Sequence, residues 1–397
     1  MKNKIQYYTF GIILLFFACY FTQIFNFPNE IVVVCGALLC LILVVQQKKI
    51  RIDFGLCLLT ISMISYFVIV NGIRGLFFSI VYTAMMIHVL TTYAINVTDK
   101  EDRTMKILLM ILVLGFTIHG ILNSYMYYAG YVVPGTRRWA DFWSHGIIPG
   151  TQHAIYFLPA MAMFVPAILY FRKSRCFSVL MILLTIFFGY TSLATRSRMT
   201  ILIFAILLFV QLLVYVILEK EKVKSSFADK KIWWCMTALL VLLAGSFCVI
   251  KDTEIMTAFI NNMSKDGGIL NNVRFVAQRQ ALQQLFDFPM GGRQMEMVLG
   301  NYCHNTWLDM ANAAGLIPFF AFTGYTVYTL YKLIVFVRNE SIETELKIFA
   351  VGVYAAFFLF FSVEPALDAS IHYLTPWVFL NAAIHEKTVK NERKGQL

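Results

Sequence analysis

Residues 195–218 read TRSRMTILIFAILLFVQLLVYVIL. From Met199 to Leu218 no side chain is charged, and about 20 apolar residues is the length of a helix that crosses the hydrocarbon core. Just before this run stand Arg196 and Arg198, separated by Ser197. An apolar run ends at about Ala194, so Thr195–Arg198 forms a tight turn between two predicted spans. The helix opens here with its N–H groups unpaired. Those groups and the aligned peptide dipoles attract anions, and Thr195 or Ser197 is the expected cap.

The same pattern recurs along the chain. Of its 397 residues, 59% are hydrophobic and 14% charged; mean hydropathy is +0.70. Soluble domains carry about 25% charged residues, so no water-soluble fold hides this much apolar surface. Twelve spans are expected, at roughly 5–25, 31–46, 54–71, 75–96, 106–130, 154–171, 177–194, 199–218, 232–250, 312–337, 347–362 and 370–385. The predicted fold is an all-α polytopic membrane bundle, a single integral membrane domain over 1–397. The short alternating strands of a membrane barrel are absent from the pattern. Met1–Lys4 leads into the first run with no small-residue cleavage site, so that run is read as a retained helix. The eight cysteines lie mostly in apolar runs, where cysteine behaves as a small hydrophobe, and no C-x-x-C pair points to zinc or redox chemistry.

The net charge of +11 follows from topology. With the N-terminus inside, most Lys and Arg fall in inner loops, as the positive-inside rule requires, and both termini are expected in the cytoplasm, at a cytoplasmic (inner) membrane. The basic excess then calls for no nucleic-acid partner. Two outer segments are long, about 131–153 and about 251–311; the second is the large extracytoplasmic loop before the tenth helix. Basic residues kept outside run against the rule and are the better functional candidates: Arg137 and Arg138, Arg196 and Arg198, Arg274 and Arg279.

Three pieces carry potential chemistry. The Arg196-Ser197-Arg198 turn suits a phosphate, the alternative being arginines that reach to lipid headgroups. Asn272–Phe286 has the spacing of an amphipathic helix on the membrane surface, with Arg274 and Gln278 on one face and Arg279 turned elsewhere. His304-Asn305 closes the long loop; a histidine is near neutral at ordinary pH and can accept a hydroxyl proton. Asp309 and Glu364 are candidate carboxylates to orient it. His145, His153 and Asp141 match no metal-ligand spacing of note. His88 and His119 are expected inside spans, bonded to other helices.

Together, Ser197-Arg198, Arg274, Pro289-Met290-Gly291-Gly292, His304-Asn305 and Gly315-Leu316 resemble the O-antigen ligase and O-antigen polymerase superfamily, chiefly over 191–330. The resemblance implies a GT-C-like fold and metal-independent, cofactor-free transfer of a glycan from a polyprenyl-diphosphate carrier on the outer face. By position, Arg198 and Arg274 would bind the diphosphate and His304 would serve the acceptor hydroxyl. Arg137 is a further family-like arginine, while Arg196, Arg279, Ser197 and Asn305 are substrate-binding candidates. The implied partners are the lipid-linked donor, a glycan or lipid acceptor, membrane lipids and other polysaccharide-assembly proteins. The turn reads Gly-Gly-Arg where a spaced glycine pair is usual, and Glu364-Pro365 has no family counterpart. Polymerase is preferred over ligase. The alternative from another class is a transporter or flippase, which twelve spans also fit, although the spans carry almost no mid-membrane charge and the two halves do not repeat.

Overall fold

The computed structural model describes residues 2–24, 29–47, 52–79, 86–97, 101–170, 175–220, 257, 273–300, 303–365 and 373–395. The described helices are α1 (Lys2–Thr22), α2 (Asn29–Gln47), α3 (Phe54–Ser79), α4 (Leu90–Asn96), α5 (Glu101–Tyr128), α6 (Gly150–Met161), α7 (Phe164–Leu169), α8 (Arg175–Ala194) and α9 (Arg198–Leu218). After these come α10 (Val273–Gln283), α11 (Gln294–Leu299), α12 (Thr306–Ala314), α13 (Leu316–Arg338), α14 (Thr344–Phe361) and α15 (Thr375–Gly395). Two three-residue strands, β1 (Arg138–Ala140) and β2 (Ile147–Pro149), pair antiparallel between α5 and α6.

The chain is a multi-pass all-α membrane bundle. Seven helices among the described residues are long and apolar enough to cross a membrane, and Tyr7–Thr22 and Val34–Val45 are shorter apolar helices. Several expected boundaries move. The ninth expected span, 232–250, lies outside the described residues. The third expected span, 54–71, ends as expected at Gly72, whose non-helical backbone (φ +62°) breaks α3 before its last stretch to Ser79. The described part of the fourth span ends in the short α4. The tenth starts at Leu316 rather than 312, because Gly315 sits at φ +88° and splits it from α12. The last runs on to Gly395.

The core is aromatic. Phe17, Phe21, Phe116, Phe157, Phe188, Phe322, Phe357, Phe361 and Trp377 are fully buried, and Trp377 meets Phe322, Tyr325 and Phe361 edge to face. Ring pairs of this kind add to the gain from area burial. Outward-facing apolar side chains such as Leu183, Ile186, Phe209 and Ile217 are exposed, as lipid-facing residues are.

One break in the helices is repaired by a side chain. Pro166 has no N–H to give Ala162 O, its helical acceptor. Gln211 of α9, fully buried, donates to that carbonyl at 2.8 Å and to Ile348 O at 3.2 Å. An orphaned carbonyl in the hydrocarbon region costs several kcal/mol, so one glutamine in an otherwise apolar run has a clear physical role. It fits because Gly352 leaves room: a Cβ there would lie 2.0 Å from Gln211 Nε2.

The ends of the bundle are distinct. α5 runs from Lys106, paired with Glu343 at 2.6 Å, to Tyr127, beside the turn between α8 and α9. α1 and α15 are antiparallel, with Tyr20 Oη against Thr375 Oγ1 at 2.8 Å. The start of α1 and the end of α15 therefore share the Lys106 end, and the arginine turn lies at the other.

Candidate functional site

A cavity of about 740 Å³ opens at the arginine end. Its lining includes Arg137, Arg138, Thr151, Arg196, Ser197 and Arg274, with Tyr127 and Trp139 among the aromatic residues. Three separate elements deliver the arginines.

The first is the β1–β2 hairpin with Arg137 and Arg138. It is bolted to α5 through Asp141, whose Oδ2 accepts from Asn123 at 3.0 Å and lies 2.6 Å from His119 Nε2. Its Oδ1 takes the Trp143 and Ser144 N–H groups. Burial alone would raise the Asp141 pKa, but the His119 hydrogen bond and charge outweigh it and hold the carboxyl well below its usual range. Trp139, fully buried, stacks on His153 with ring centres 3.8 Å apart and donates to Asn123 O at 3.0 Å. His119 thus bonds to this loop rather than to another helix, and His153 is a stacking partner. His145 is exposed. Among the described residues no three His, Cys, Asp or Glu side chains form a metal-holding group.

The second element is the turn before α9. Arg196 adopts φ +55°, a region a bulky residue seldom occupies. Its carbonyl accepts from Arg137 Nη1 at 3.4 Å, tying turn to hairpin. The expected capping fails: at the N-cap position, Ser197 makes no side-chain bond to the helix N–H groups. Its hydroxyl pairs with Thr200 Oγ1 at 2.7 Å, and Thr195 bonds backward to Thr191 O at 2.8 Å. Arg198 opens α9 half-buried and does not line the cavity.

The third is α10. On its apolar face Ala281 and Leu285 are buried with Met295, Cys303, Leu308 and Ala311, and Ala277 is buried as well. The polar face welds it to three other segments. Arg274 pairs with the Glu364 carboxylate, donates to Val363 O at 3.1 Å, and reaches Thr151 Oγ1 at 3.5 Å. Gln278 Nε2 donates to His304 O at 2.8 Å and Ser362 O at 3.0 Å. Arg279 is exposed, on another face as its spacing implies, and it does not line the cavity.

His304 sits beside this weld at φ +51°. Strained backbone of this kind costs about 1–3 kcal/mol and clusters at functional sites. Burial, with the nearby Arg274 charge adding to it, lowers the imidazole pKa to about 4. The side chain is therefore neutral at ordinary pH. Asn305 serves the backbone: its Oδ1 caps α12 by accepting from Trp307 and Leu308 N–H, and its Nδ2 donates to Ser362 O. Asp309 accepts the Asn305 N–H at 3.2 Å, and the Glu364 carboxylate goes to Arg274.

Neither a protein-family model nor a curated protein matches this chain. The geometry alone therefore has to carry the site.

The glycine segments 289–292 and 315–316 meet in space. Gly292 N donates to Ala313 O at 3.1 Å, Arg293 N to Asn312 O at 2.7 Å, and Leu316 N to Pro289 O at 3.0 Å. Gly291 and Gly315 both have positive φ, and a Cβ on Gly315 would lie 2.3 Å from Pro289 O. Only glycine permits this approach. The dock fixes the C-terminal end of α12, the helix that His304 and its neighbour Asn305 precede.

Of the expected residues, Arg137, Arg196, Ser197 and Arg274 share one cavity, and His304 adjoins it through Arg274. Arg198 and Arg279 do not line it, and Asn305 is occupied as a cap. Thr151, Gln278 and Glu364 were not expected in these roles. Arg138 was legible as the neighbour of Arg137, and Gln278 as the i+4 partner of Arg274. Nothing local in the sequence links Glu364 to a residue 90 positions earlier.

Proposed function

We infer that this protein is a membrane enzyme that transfers a glycan from a polyprenyl-diphosphate carrier to an acceptor hydroxyl. The reading extends to the outer face of a cytoplasmic membrane, a GT-C-like fold, and polymerase in preference to ligase. One observation carries it: arginines from the hairpin, the α8–α9 turn and α10 line a single cavity, with a neutral histidine beside one of them.

The chemistry requires these parts. The acceptor oxygen attacks the sugar C1, the bond from C1 to the carrier's phosphate oxygen breaks, and the electron pair leaves on the diphosphate. Guanidinium groups at Arg196, Arg274 and Arg137 stabilise that growing charge, each offering a fork that matches phosphate oxygens. Arg198, one residue past the cavity edge, adds to the local field. The hydroxyl proton passes to His304. A base on the face opposite the leaving group gives inversion at C1.

The state of His304 fits this sequence of events. In the empty site, burial and Arg274 depress its basicity. A bound diphosphate neutralises Arg274 and thereby removes one of those causes. The base strengthens when donor is present.

The test is transfer by purified protein from a polyprenyl-diphosphate oligosaccharide. Arg196→Ala and His304→Ala proteins should each lose about 10²–10³ in rate, Arg198→Ala less, and normal turnover by the first two would remove the mechanism. Movement of carrier lipid across vesicles that survives His304→Ala would favour a flippase instead.

A further inference from the structure

Arg138 differs from its neighbours in the cavity wall. Arg274 is held by Glu364, Val363 O and Thr151, and Arg137 by Arg196 O. The Arg138 guanidinium has no hydrogen-bond or ion-pair partner among the described residues, although its backbone is pinned on both sides. Its N–H donates to Thr136 Oγ1 at 3.2 Å, its carbonyl accepts from Val133 N at 2.9 Å, and it pairs with Pro149 across the hairpin. The next residue, Trp139, is locked by its stack on His153. The cation is exposed, on the cavity lining, and carried by a fixed strand.

Among the described residues the lining holds four arginines and no Asp or Glu. A diphosphate linking lipid to sugar bears one negative charge per phosphorus, and Arg196, Arg274 and Arg137 already answer it, so Arg138 is charge in excess on the lining. The cavity also exceeds what a diphosphate occupies; volumes of about 300–1,000 Å³ take whole drug-sized ligands. Space and positive charge are therefore both left over, on the hairpin wall. A positive group held outside runs against the bias that sets membrane topology.

We propose that Arg138 reads an anionic substituent on the glycan, a uronate carboxylate or an acidic group of like geometry, and that the substrate of this cavity is an acidic oligosaccharide. The proposal rests on the glycan-transfer reading above. A carboxylate accepts the guanidinium fork at two points. The same fork would also grip a phospholipid headgroup phosphate, so the source of the anion has to be separated experimentally.

The experiment uses the full-length protein in nanodiscs of zwitterionic lipid. Binding of two polyprenyl-diphosphate oligosaccharides is measured, one with a uronate and one with that carboxyl reduced to the neutral alcohol. The charged donor should bind roughly tenfold tighter, since a charge-assisted hydrogen bond contributes at least that ratio. Arg138→Gln should bring the charged donor to the level of the neutral one, and Arg138→Lys should keep part of the preference. Equal binding of both donors by the wild type, with inorganic pyrophosphate still competing, overturns this proposal and leaves the diphosphate site standing. A preference that survives Arg138→Gln also overturns it. If Arg138→Gln alters only the response to added phosphatidylglycerol, the residue holds a lipid headgroup and the proposal falls. If neither donor nor pyrophosphate binds, the glycan-transfer reading falls with it.

Discussion

At one end of the bundle, Lys106 lies 2.6 Å from Glu343 and His385 lies 2.8 Å from Asp53. At the other, Arg137, Arg138, Arg196 and Arg274 surround a cavity that no described carboxylate lines. Both ends carry basic side chains. The first end spends them on closure: Asn96 Nδ2 donates to Glu386 at 2.8 Å and Lys390 to Ile95 O at 3.4 Å, tying α15 to α4. At the second the arginines line the cavity, and Glu364, which pairs with Arg274, is not part of that lining. Charge counts do not distinguish these uses; the position of the carboxylates does.

The sharpest break in this comparison comes from the backbone that fixes the second end. Gly315→Ala should lower stability by about 3 kcal/mol, from strain at positive φ and a Cβ against Pro289 O. Thermal unfolding in detergent reads it, and a change within error would mean that the 289–292 dock is loose.

The same substitution at both ends gives the next contrast. Glu364→Gln removes the countercharge of a half-buried arginine and should cost roughly 2 kcal/mol, below the 3–5 kcal/mol of a fully buried pair, together with a large fall in transfer. Glu343→Gln breaks a pair whose side chains are 32% and 49% exposed; it should cost under about 1 kcal/mol and leave transfer intact. Equal effects would erase the distinction between the two ends.

The ends also titrate differently. If His304 is the base proposed above, transfer should hold as pH falls from neutral and drop as it passes through about 4, where His304 protonates. Arg274→Gln removes a positive neighbour, so that limb should move upward toward 6.5, measurable on the residual activity. At the opposite end, burial alone would raise the Asp53 pKa, but the hydrogen bond and charge of His385 outweigh it and lower the pKa to about 2. Its contribution to stability is complete above 3.8 and is lost as pH falls from there through about 2. An acid limb of activity near 6.5 in the wild type would mean His304 is neither desolvated nor coupled to Arg274.

The smallest effect is expected at Arg279. It is exposed on the far face of α10, so Arg279→Ala should change stability by less than about 0.5 kcal/mol and leave transfer near normal. A large loss would place a second binding face on α10.

What could be read from the sequence follows the range of the interaction. Apolar length located the seven helices among the described residues that are long enough to cross a membrane, because a helix satisfies its own backbone and the bilayer sets its length. The i, i+4 relation of Arg274 and Gln278 and the divergence of Arg279 are local and came out as expected. Gly315 was legible as part of a motif, but not as the residue that ends one helix and starts another. The role of Gln211 needed Pro166 and Ile348 in view together. Glu364 was read as a carboxylate to orient His304; its pairing with Arg274 instead depends on segments 90 residues apart meeting. The reading of Ser197 as a cap failed because Thr200, one turn on, offered its hydroxyl first.

The most direct test is a structure of the full-length protein with a polyprenyl-diphosphate sugar bound in a bilayer mimic. The account predicts both phosphorus atoms inside the 740 Å³ cavity, with Arg274 and Arg196 within hydrogen-bond distance of phosphate oxygens and the sugar C1 facing His304. A diphosphate bound at the Lys106–Glu343 end, or in a path through the middle of the bundle, would contradict it.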